Sequence, residues 1–469
     1  MSKRVNPFHQ KQKSLNKAKR LYAEQNKQEE DAGTYHLTEY VFRDGLRFVN
    51  PYYYTFKSYV KKRWVGSKLK DIYVNEFRGE SEETLLKRFK AGNIKVNGDP
   101  VEADYLIKDN DFLEATMHRH EMPVKSDELS ILHNDNNFYV VNKPASIPVH
   151  PAGRFRYNSL SFILGKTYGL KNLSTVHRLD RLTSGCQIFA KNLKTSQQCF
   201  EALKNRKVSK MYVTGLHGDF SSEEIRCDAP IAPICSRIGI NAVSESRGQN
   251  SVTIFNKVLY DRDKDISVVL CQPLTGRTHQ IRVHAQYLGH HVINDPLYGT
   301  DAWGNSEGRN IDDLKEDEQQ AIIAKLKAEH DNSCGMEWRK KNKFIKHTKT
   351  EEELKAATDT QSAQFDPICE ECGVDYEDPP LNQLEIYLHA YKYQMLHQTF
   401  TAPLPHWAAH HSESIERLAN KLFQAGIKDE EKPDECTVES NQKAKGKEEI
   451  DKKSLDNILP AKCLKTEIM

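Results

Sequence analysis

The chain has 469 residues, 29% of them charged, a mean hydropathy of −0.72 and a formal net charge of +2. Such a length leaves room for two to three domains, and the low hydropathy assigns part of it to solvated tail or insertion. No apolar run approaches the roughly 20 residues that span a bilayer and no charged-then-apolar leader opens the chain, so the expectation is a soluble intracellular protein with no membrane partner.

Residues 1–23 hold seven Lys/Arg and no Asp/Glu, which leaves the remainder at −5; an anionic partner would have to be gripped by local patches. Residues 1–35 are polar and lysine-rich without apolar periodicity, a disordered basic arm that serves either as a solubilising tail or as an RNA-contacting or nuclear-targeting one. In the lead-in at 36–65, Tyr52, Tyr53, Tyr54, Phe56, Tyr59 and Trp64 mingle with Arg43, Arg47, Lys57, Lys61, Lys62 and Arg63. Aromatic faces beside cations can stack bases and neutralise phosphates. The plainer reading is a strand pair with its aromatics packed inward and its basic residues facing water.

Residues 66–122 read as a compact α/β module. In "SEETLLKRFKAG" Ser81 is placed to cap a helix, Glu82 and Glu83 sit in its first turn, Leu85, Leu86 and Phe89 align on one side, and Gly92 ends it. Asn97-Gly98 then turns a short hairpin, and "DFLEATMHRHE" is a strand ending in a His/Arg cluster. From 129 to 426 short β-branched runs such as "FYVVNKP", "KMYVTGLHG" and "ISVVLCQP" alternate with few helices, which predicts an α+β domain with a mixed, mostly antiparallel sheet. Within it, 301–366 turns charged and reads as a surface insertion, after which Leu381 to Met395 resumes the apolar pattern. Residues 427–469 read as a disordered Lys/Glu-rich tail.

The ten cysteines are scattered, several of them in apolar runs, as expected of buried free thiols. Cys369 and Cys372 stand at zinc-ligand spacing, but no second pair accompanies them and Cys334 is the only nearby candidate. The expectation is that they are free and that no metal is bound.

The chemistry-bearing stretch is "HRLDRLTSG", His177 to Gly185. Asp180 stands between Arg178 and Arg181 in a loop that Thr183-Ser184-Gly185 turns into a strand with Cys186, Ile188 and Ala190 on one side. A carboxylate beside arginine is kept ionised and oriented, as a nucleophile or base must be. A structural Asp–Arg bridge is the alternative. The His-Arg opening also occurs in protein-kinase catalytic loops, but neither a DFG triplet nor a phosphate-cradling glycine loop is present. In "THQIRVHAQYLG" Thr278 can cap a helix that Gly289 ends, which would place Arg282 near its first turn.

Together with "KMYVTG", "LTGRTHQIRVH", "NDPLYG" and "VVNKPASIPVHPAGRFRYNSL", this segment resembles the RluA-type RNA pseudouridine synthases in order and spacing, in the version carried by the eukaryotic RNA pseudouridine synthase domain proteins. The module at Gly66 to Glu121 is similar to the small RNA-binding domain that precedes the catalytic domain in many members. The resemblance implies isomerisation of a uridine within RNA: the N-glycosidic bond breaks, the uracil rotates, and its C5 is rejoined to the ribose, with no metal and no organic cofactor.

In those terms Asp180 is the catalytic aspartate, attacking the sugar or taking its 2′ proton. Tyr212 would stack on the flipped uracil and help remove the C5 proton, and Arg282 would pair with Asp180. Arg178 would fill the space the nucleotide vacates, with His177, Arg181, Lys210 and Leu388 completing the substrate-binding set. The resemblance further implies an RNA partner, transfer RNA first (its anticodon loop included) and messenger RNA next, and a monomer in the nucleus or cytoplasm, with the mitochondrion open.

Two rivals remain at this stage. One is an RNA-binding protein without catalysis. The other is a zinc nucleoside deaminase, whose His-x-Glu should precede Pro-Cys-x-x-Cys; here "HSE" (His411 to Glu413) follows "PICEEC", and Ile368 separates Pro367 from Cys369.

Overall fold

A computed structural model describes residues 34–77, 80–236, 238–304, 308–330, 345–359 and 364–430. Nearly all of the basic arm, the tail beyond 430 and Cys334 lie outside these residues. Everything described below belongs to the unit that ends at Ala419; of a second unit, beginning at Asn420, the described part is the end of helix Ser412–Glu430, which runs past the expected start of the tail at 427.

The first hairpin pairs β1 (Tyr40–Arg43) with β2 (Leu46–Val49) around Asp44-Gly45, both at positive φ (50° and 74°), as a tight hairpin turn demands. Next, β3 (Tyr52–Tyr59), β4 (Ile94–Val96), β5 (Asp99–Pro100) and β6 (Phe112–Arg119) build a sheet in the order β3-β6-β4-β5. Asn97-Gly98, at φ 54° and 92°, turns β4 into β5. Ser81 accepts the backbone N–H of Thr84 at 3.2 Å and so caps helix Glu82–Lys90. This helix buries Leu85 and Phe89 against Trp64, Leu69, Ile94 and Leu113.

Three expectations fail in this module. Leu86 is 38% exposed, because at 100° per residue it stands off the arc shared by Leu85, Arg88 and Phe89, and the fully buried Arg88 takes the inward place instead. β3 pairs with β6 from end to end, Tyr52 opposite Arg119 and Tyr59 opposite Phe112, so the module starts in the lead-in and not at 66. The aromatics of that lead-in do not all pack inward: Trp64 is buried in the module's core and Tyr52 and Tyr54 are half-buried, but Tyr53 is 44%, Phe56 43% and Tyr59 69% exposed.

After β7 (Val124–Lys125) returns to β2, the main sheet begins with β8 (Ser130–Asn134) and β9 (Phe138–Lys143). It continues through β10 (Ser174–Thr175), β11 (Ser184–Ala190), β12 (Val208–His217) and β13 (Ile225–Cys227). The β14–β15 hairpin (Ile231–Cys235, Ile240–Val243) lies outside it, and β16 (Thr253–Asp261) and β17 (Ile266–Pro273) rejoin it. A second separate hairpin joins β18 (Ile345–Thr348) to β19 (Val374–Tyr376), and β20 (Leu388–Met395) and β21 (Gln398–Thr401) complete the set.

The main order is β13-β16-β17-β12-β20-β11-β9-β8. β20, nearly 200 residues after β11, slides between it and β12 and makes the one parallel pairing among the described residues. The architecture is α+β with a mostly antiparallel sheet. β11 is not a half-exposed alternating strand: Gly185 to Ala190 are buried on both faces. Gly185 has φ 108°, and a Cβ there would stand 2.3 Å from the Ala390 carbonyl, so only glycine lets β20 enter at this point.

The charged insertion is not confined to the surface. Ile311, Leu314, Ile322, Ile323 and Leu326 join the main core, the last three as an apolar stripe on helix Glu316–His330 that its charged neighbours mask in any average of hydropathy.

Candidate active site

Asp180 sits in the loop that leads into β11, on the wall of a cleft of about 3160 Å³. The Thr183 N–H donates to the Asp180 carbonyl at 3.2 Å, tightening the turn. The carboxylate does not rest in a clamp of its two neighbouring arginines. Arg282 Nη1 donates to Asp180 Oδ2 at 3.0 Å, and His279 Nε2 stands 3.7 Å from the same oxygen. Arg178 is exposed on the cleft wall and contributes only its field. Arg181 lays its guanidinium over the Phe155 ring at 5.3 Å, and among the described residues no ion pair joins it to Asp180. In so short a loop, side chains one and two positions from the aspartate diverge, and only a residue from another element can meet it head-on.

Arg282 lies on helix Gln280–Tyr287, whose N-cap is His279 at φ 59° and not Thr278. Its other edge is held by Asp295 from the "NDPLYG" turn: Nε donates to Oδ2 at 2.6 Å and Nη2 to Oδ1 at 2.8 Å. Asp295, with a side chain 0% exposed, also accepts the N–H groups of Leu297 (2.9 Å) and Tyr298 (3.1 Å). A buried guanidinium shared by two carboxylates is satisfied on both edges and cannot swing.

Burial alone would raise the pKa of Asp180, yet the charges around it hold the carboxyl below the usual carboxylate range. Burial, with the Arg282 charge beside it, lowers His279 to about 4, so the imidazole is neutral near pH 7 and Arg282 is the group that keeps Asp180 ionised there.

Tyr212 is buried on β12 and shares a 2.6 Å hydrogen bond with the hydroxyl of Tyr393 on β20. Burial pushes its phenol well above the ordinary tyrosine value, so it stays neutral. Lys210, two residues before, donates to the Thr275 carbonyl at 2.7 Å and is lowered by burial to about 8. Leu388 is buried at the start of β20, opposite Thr214 of β12.

His177 does not face the cleft as a ligand would. Its ring stacks on Tyr393 (4.5 Å, 12°), its Nε2 accepts the Ile188 N–H at 3.3 Å, and burial lowers it to about 3. It anchors the loop from behind.

Four supports escaped the sequence reading. Asp295 and His279 lie in stretches already singled out, with no local pattern to mark their roles. Gln187, fully buried, accepts the Leu179 N–H and donates to the His177 carbonyl, pinning the loop on both sides of Arg178. Lys143, also fully buried, donates to the carbonyls of Pro144, Ile147 and Arg181 at 2.9, 2.8 and 3.2 Å. A lysine in the apolar run "FYVVNKP" was the available signal.

The opposite wall of the cleft comes from the small module: Phe56, Lys57, Lys61 and Arg119 line it. Arg119 Cζ stands 5.1 Å over the Phe56 ring, and Arg156 Cζ 4.2 Å over Tyr54. The deaminase reading gains nothing, because the donors that gather around Cys369 and Cys372 are His118 and His120, not His411.

Residues 137–287 match the family described as RNA pseudouridylate synthase. Over 411 residues the chain is 38% identical to the human protein named Pseudouridylate synthase RPUSD2, covering 79% of this chain and 75% of that one. It is 34% identical to the Saccharomyces cerevisiae protein named tRNA pseudouridine(32) synthase, mitochondrial, covering 76% and 73%. With the yeast tRNA pseudouridine(31) synthase it shares 30% identity, covering 80% of this chain and 98% of that protein.

Proposed function

The chain belongs to the RNA pseudouridylate synthase family, and on that premise we propose that it isomerises a uridine of transfer RNA, with Asp180 as the catalytic carboxylate. The observation that carries the assignment is the Asp180–Arg282–Asp295 chain, which presents an ionised, firmly held carboxylate to a cleft of about 3160 Å³. Either role open to the aspartate, attack on C1′ or removal of the 2′ proton, needs the ionised form. Arg282 preserves that form after RNA has displaced water from the site.

The uridine must leave its stack, at a cost of a few kcal/mol, roughly, recovered from stacking and phosphate contacts. Tyr212, neutral and held by Tyr393, supplies an aromatic surface beside the carboxylate. Arg178, exposed on the cleft wall, is free to enter the vacated space, and Lys210 adds positive charge. His177, Arg181 and Leu388 act indirectly, by fixing the loop and the strands behind it. The reaction balances within the substrate: N1–C1′ breaks, C5–C1′ forms, C5 loses a proton and N1 gains one.

Transfer RNA is favoured because two yeast relatives carry it in their names, and because single-stranded loops release a base most cheaply; messenger RNA comes second. We place the enzyme in the nucleus or cytoplasm as a monomer, with the mitochondrion as a third compartment suggested by one relative's name. No helix among the described residues is long and apolar enough to cross a membrane.

The test incubates purified protein, native and Asp180→Ala, with unmodified transfer, messenger and ribosomal RNA, and maps pseudouridine at single-nucleotide resolution. New sites in transfer RNA that depend on Asp180 are expected. Sites confined to messenger or ribosomal RNA would overturn the substrate, and sites made equally by the variant would overturn the role of Asp180.

A further inference from the structure

The expectation of free thiols at Cys369 and Cys372 rested on the lack of a second ligand pair nearby in sequence. The fold supplies that pair from about 250 residues away. β6 ends at His118-Arg119 and His120 follows it directly, and residues two apart along an extended chain point the same way. Opposite them, Cys369 caps the short turn Glu370–Gly373, in which the Cys372 N–H donates to the Cys369 carbonyl at 3.2 Å and brings both thiols to one side.

One donor atom from each of His118, His120, Cys369 and Cys372 lies within 4.8 Å of every other. Cys372 Sγ is 3.4 Å from His118 Nδ1 and 3.4 Å from His120 Nε2. Zinc bonds of about 2.0–2.3 Å in a tetrahedron give edges of about 3.3–3.8 Å, so these contacts already have tetrahedral length.

We propose that His118, His120, Cys369 and Cys372 bind a structural zinc ion that staples the small module to the segment just after the insertion, along one wall of the RNA cleft. Two thiolates and two imidazoles form a donor set that selects zinc over the oxygen-seeking divalent ions. The Asp366 N–H donates to Cys372 Sγ at 3.4 Å, an outer contact that stabilises a thiolate. His118, Cys369 and Cys372 are at most 8% exposed.

With four protein donors the coordination is closed, so the ion takes no part in the reaction. Among the described residues the carboxylates beside the site are engaged elsewhere. Glu121, the adjacent carboxylate, accepts from the Tyr52 hydroxyl (2.6 Å) and from the N–H groups of Tyr157 (2.8 Å) and Asn158 (2.9 Å).

The surroundings show what the staple joins. Glu370, between the cysteines, accepts from Ser81 and Thr84 at the start of the module's helix. Glu371 pairs with Arg154 of the catalytic domain, and Arg154 also donates to the His120 carbonyl at 2.9 Å. Buried Arg88 of the module pairs with Asp366 at 3.0 Å. Arg119, between the two histidine ligands, donates to the Gly153 carbonyl at 2.7 Å while covering Phe56. One ion therefore sets the position of the cation and the aromatic ring that line the cleft.

The full chain, purified without a histidine tag or chelator, should carry one zinc ion by elemental mass spectrometry. Cys369→Ser/Cys372→Ser should lose it, whereas His120→Cys, which keeps four donors, and Cys199→Ser, a distant buried thiol, should retain it. So that misfolding cannot imitate metal loss, native protein is stripped with chelator and retitrated: the Tm should fall, return with Zn2+ and not with Mg2+, and Co2+ should give the absorption of a tetrahedral thiolate site. A folded native chain that holds no zinc and takes up none overturns the proposal, as does zinc that survives the double serine substitution or a Cys369–Cys372 disulfide found by mass spectrometry.

Discussion

The two walls of the cleft are built on opposite principles. On the catalytic side the groups that hold the loop are engaged internally: Arg282 is held between Asp180 and Asp295, Lys143 on three carbonyls, and His177 and Gln187 against the loop backbone. On the module side Phe56 and Tyr59 are exposed and Lys57 and Lys61 face water. A carboxylate that must meet one atom of a ribose benefits from a rigid, prepaid environment, because reorganisation at the moment of reaction would add to the barrier. A surface that grips a polyanion needs charge and aromatic faces within reach, and tolerates movement. The same cleft thus separates positioning from affinity.

Five substitutions and one change of pH sharpen that contrast, taken from the largest effect down. Asp180→Ala should lower single-turnover pseudouridine formation by about 10^4-fold or more, with the Tm near native because Arg282 keeps its two bonds to Asp295. A large loss of Tm would show that Asp180 is structural instead. For Asp295→Asn the order reverses: one partner of a buried ion pair is lost, so stability should drop by about 3–5 kcal/mol. Turnover should fall as well, since Arg282 can then rotate; denaturant unfolding and rate together check it, and an unchanged midpoint would show that Asp180 alone suffices to hold Arg282.

On the other wall, Phe56→Ala should weaken RNA binding by about 1–3 kcal/mol, the usual worth of one stacked base, while the rate at saturating RNA stays within twofold or so of native. A change in rate with unchanged Kd would contradict the division of labour. Tyr212→Phe retains the ring and removes one hydroxyl bond, worth about 1 kcal/mol in stability. Binding should persist and product formation should fall; an unaffected rate removes the hydroxyl from the mechanism.

Acid acts through the positioning side. Burial lowers His177 and His389 to about 3 and His279 and His284 to about 4, against an unfolded value near 6.5. Between roughly pH 6.5 and 4 the unfolded chain therefore binds more protons than the folded one, and stability declines as pH falls through that window. Asp180, held below the ordinary aspartate value of 3.8, adds its own loss only below that window. Tm measured from pH 7 to 4.5 should drop steadily, and His284→Gln should flatten part of the slope; a constant Tm would mean the histidines protonate without unfolding.

What the sequence by itself determined is what short-range chemistry can encode. Ser81 as a helix cap, Asn97-Gly98 as a hairpin turn and the α+β class follow from interactions within a few residues. Asp180, Tyr212 and Arg282 were legible as candidates because each stands in a motif with a recognisable order. What only the tertiary structure decided depends on contacts between distant segments: β20 entering between β11 and β12 beside Gly185, β3 belonging to the module, and Asp295 holding the far edge of Arg282.

The same holds for Arg178 and Arg181, which stand beside Asp180 in sequence, whereas the residues that meet its carboxylate are Arg282 and His279. The gathering of His118 and His120 with Cys369 and Cys372 is the extreme case. The physical reason is common to all of them. Local propensities act through the chain's own stiffness and fade within a turn or two, while ion pairs, ligand sets and sheet order are chosen by which distant groups can be desolvated together.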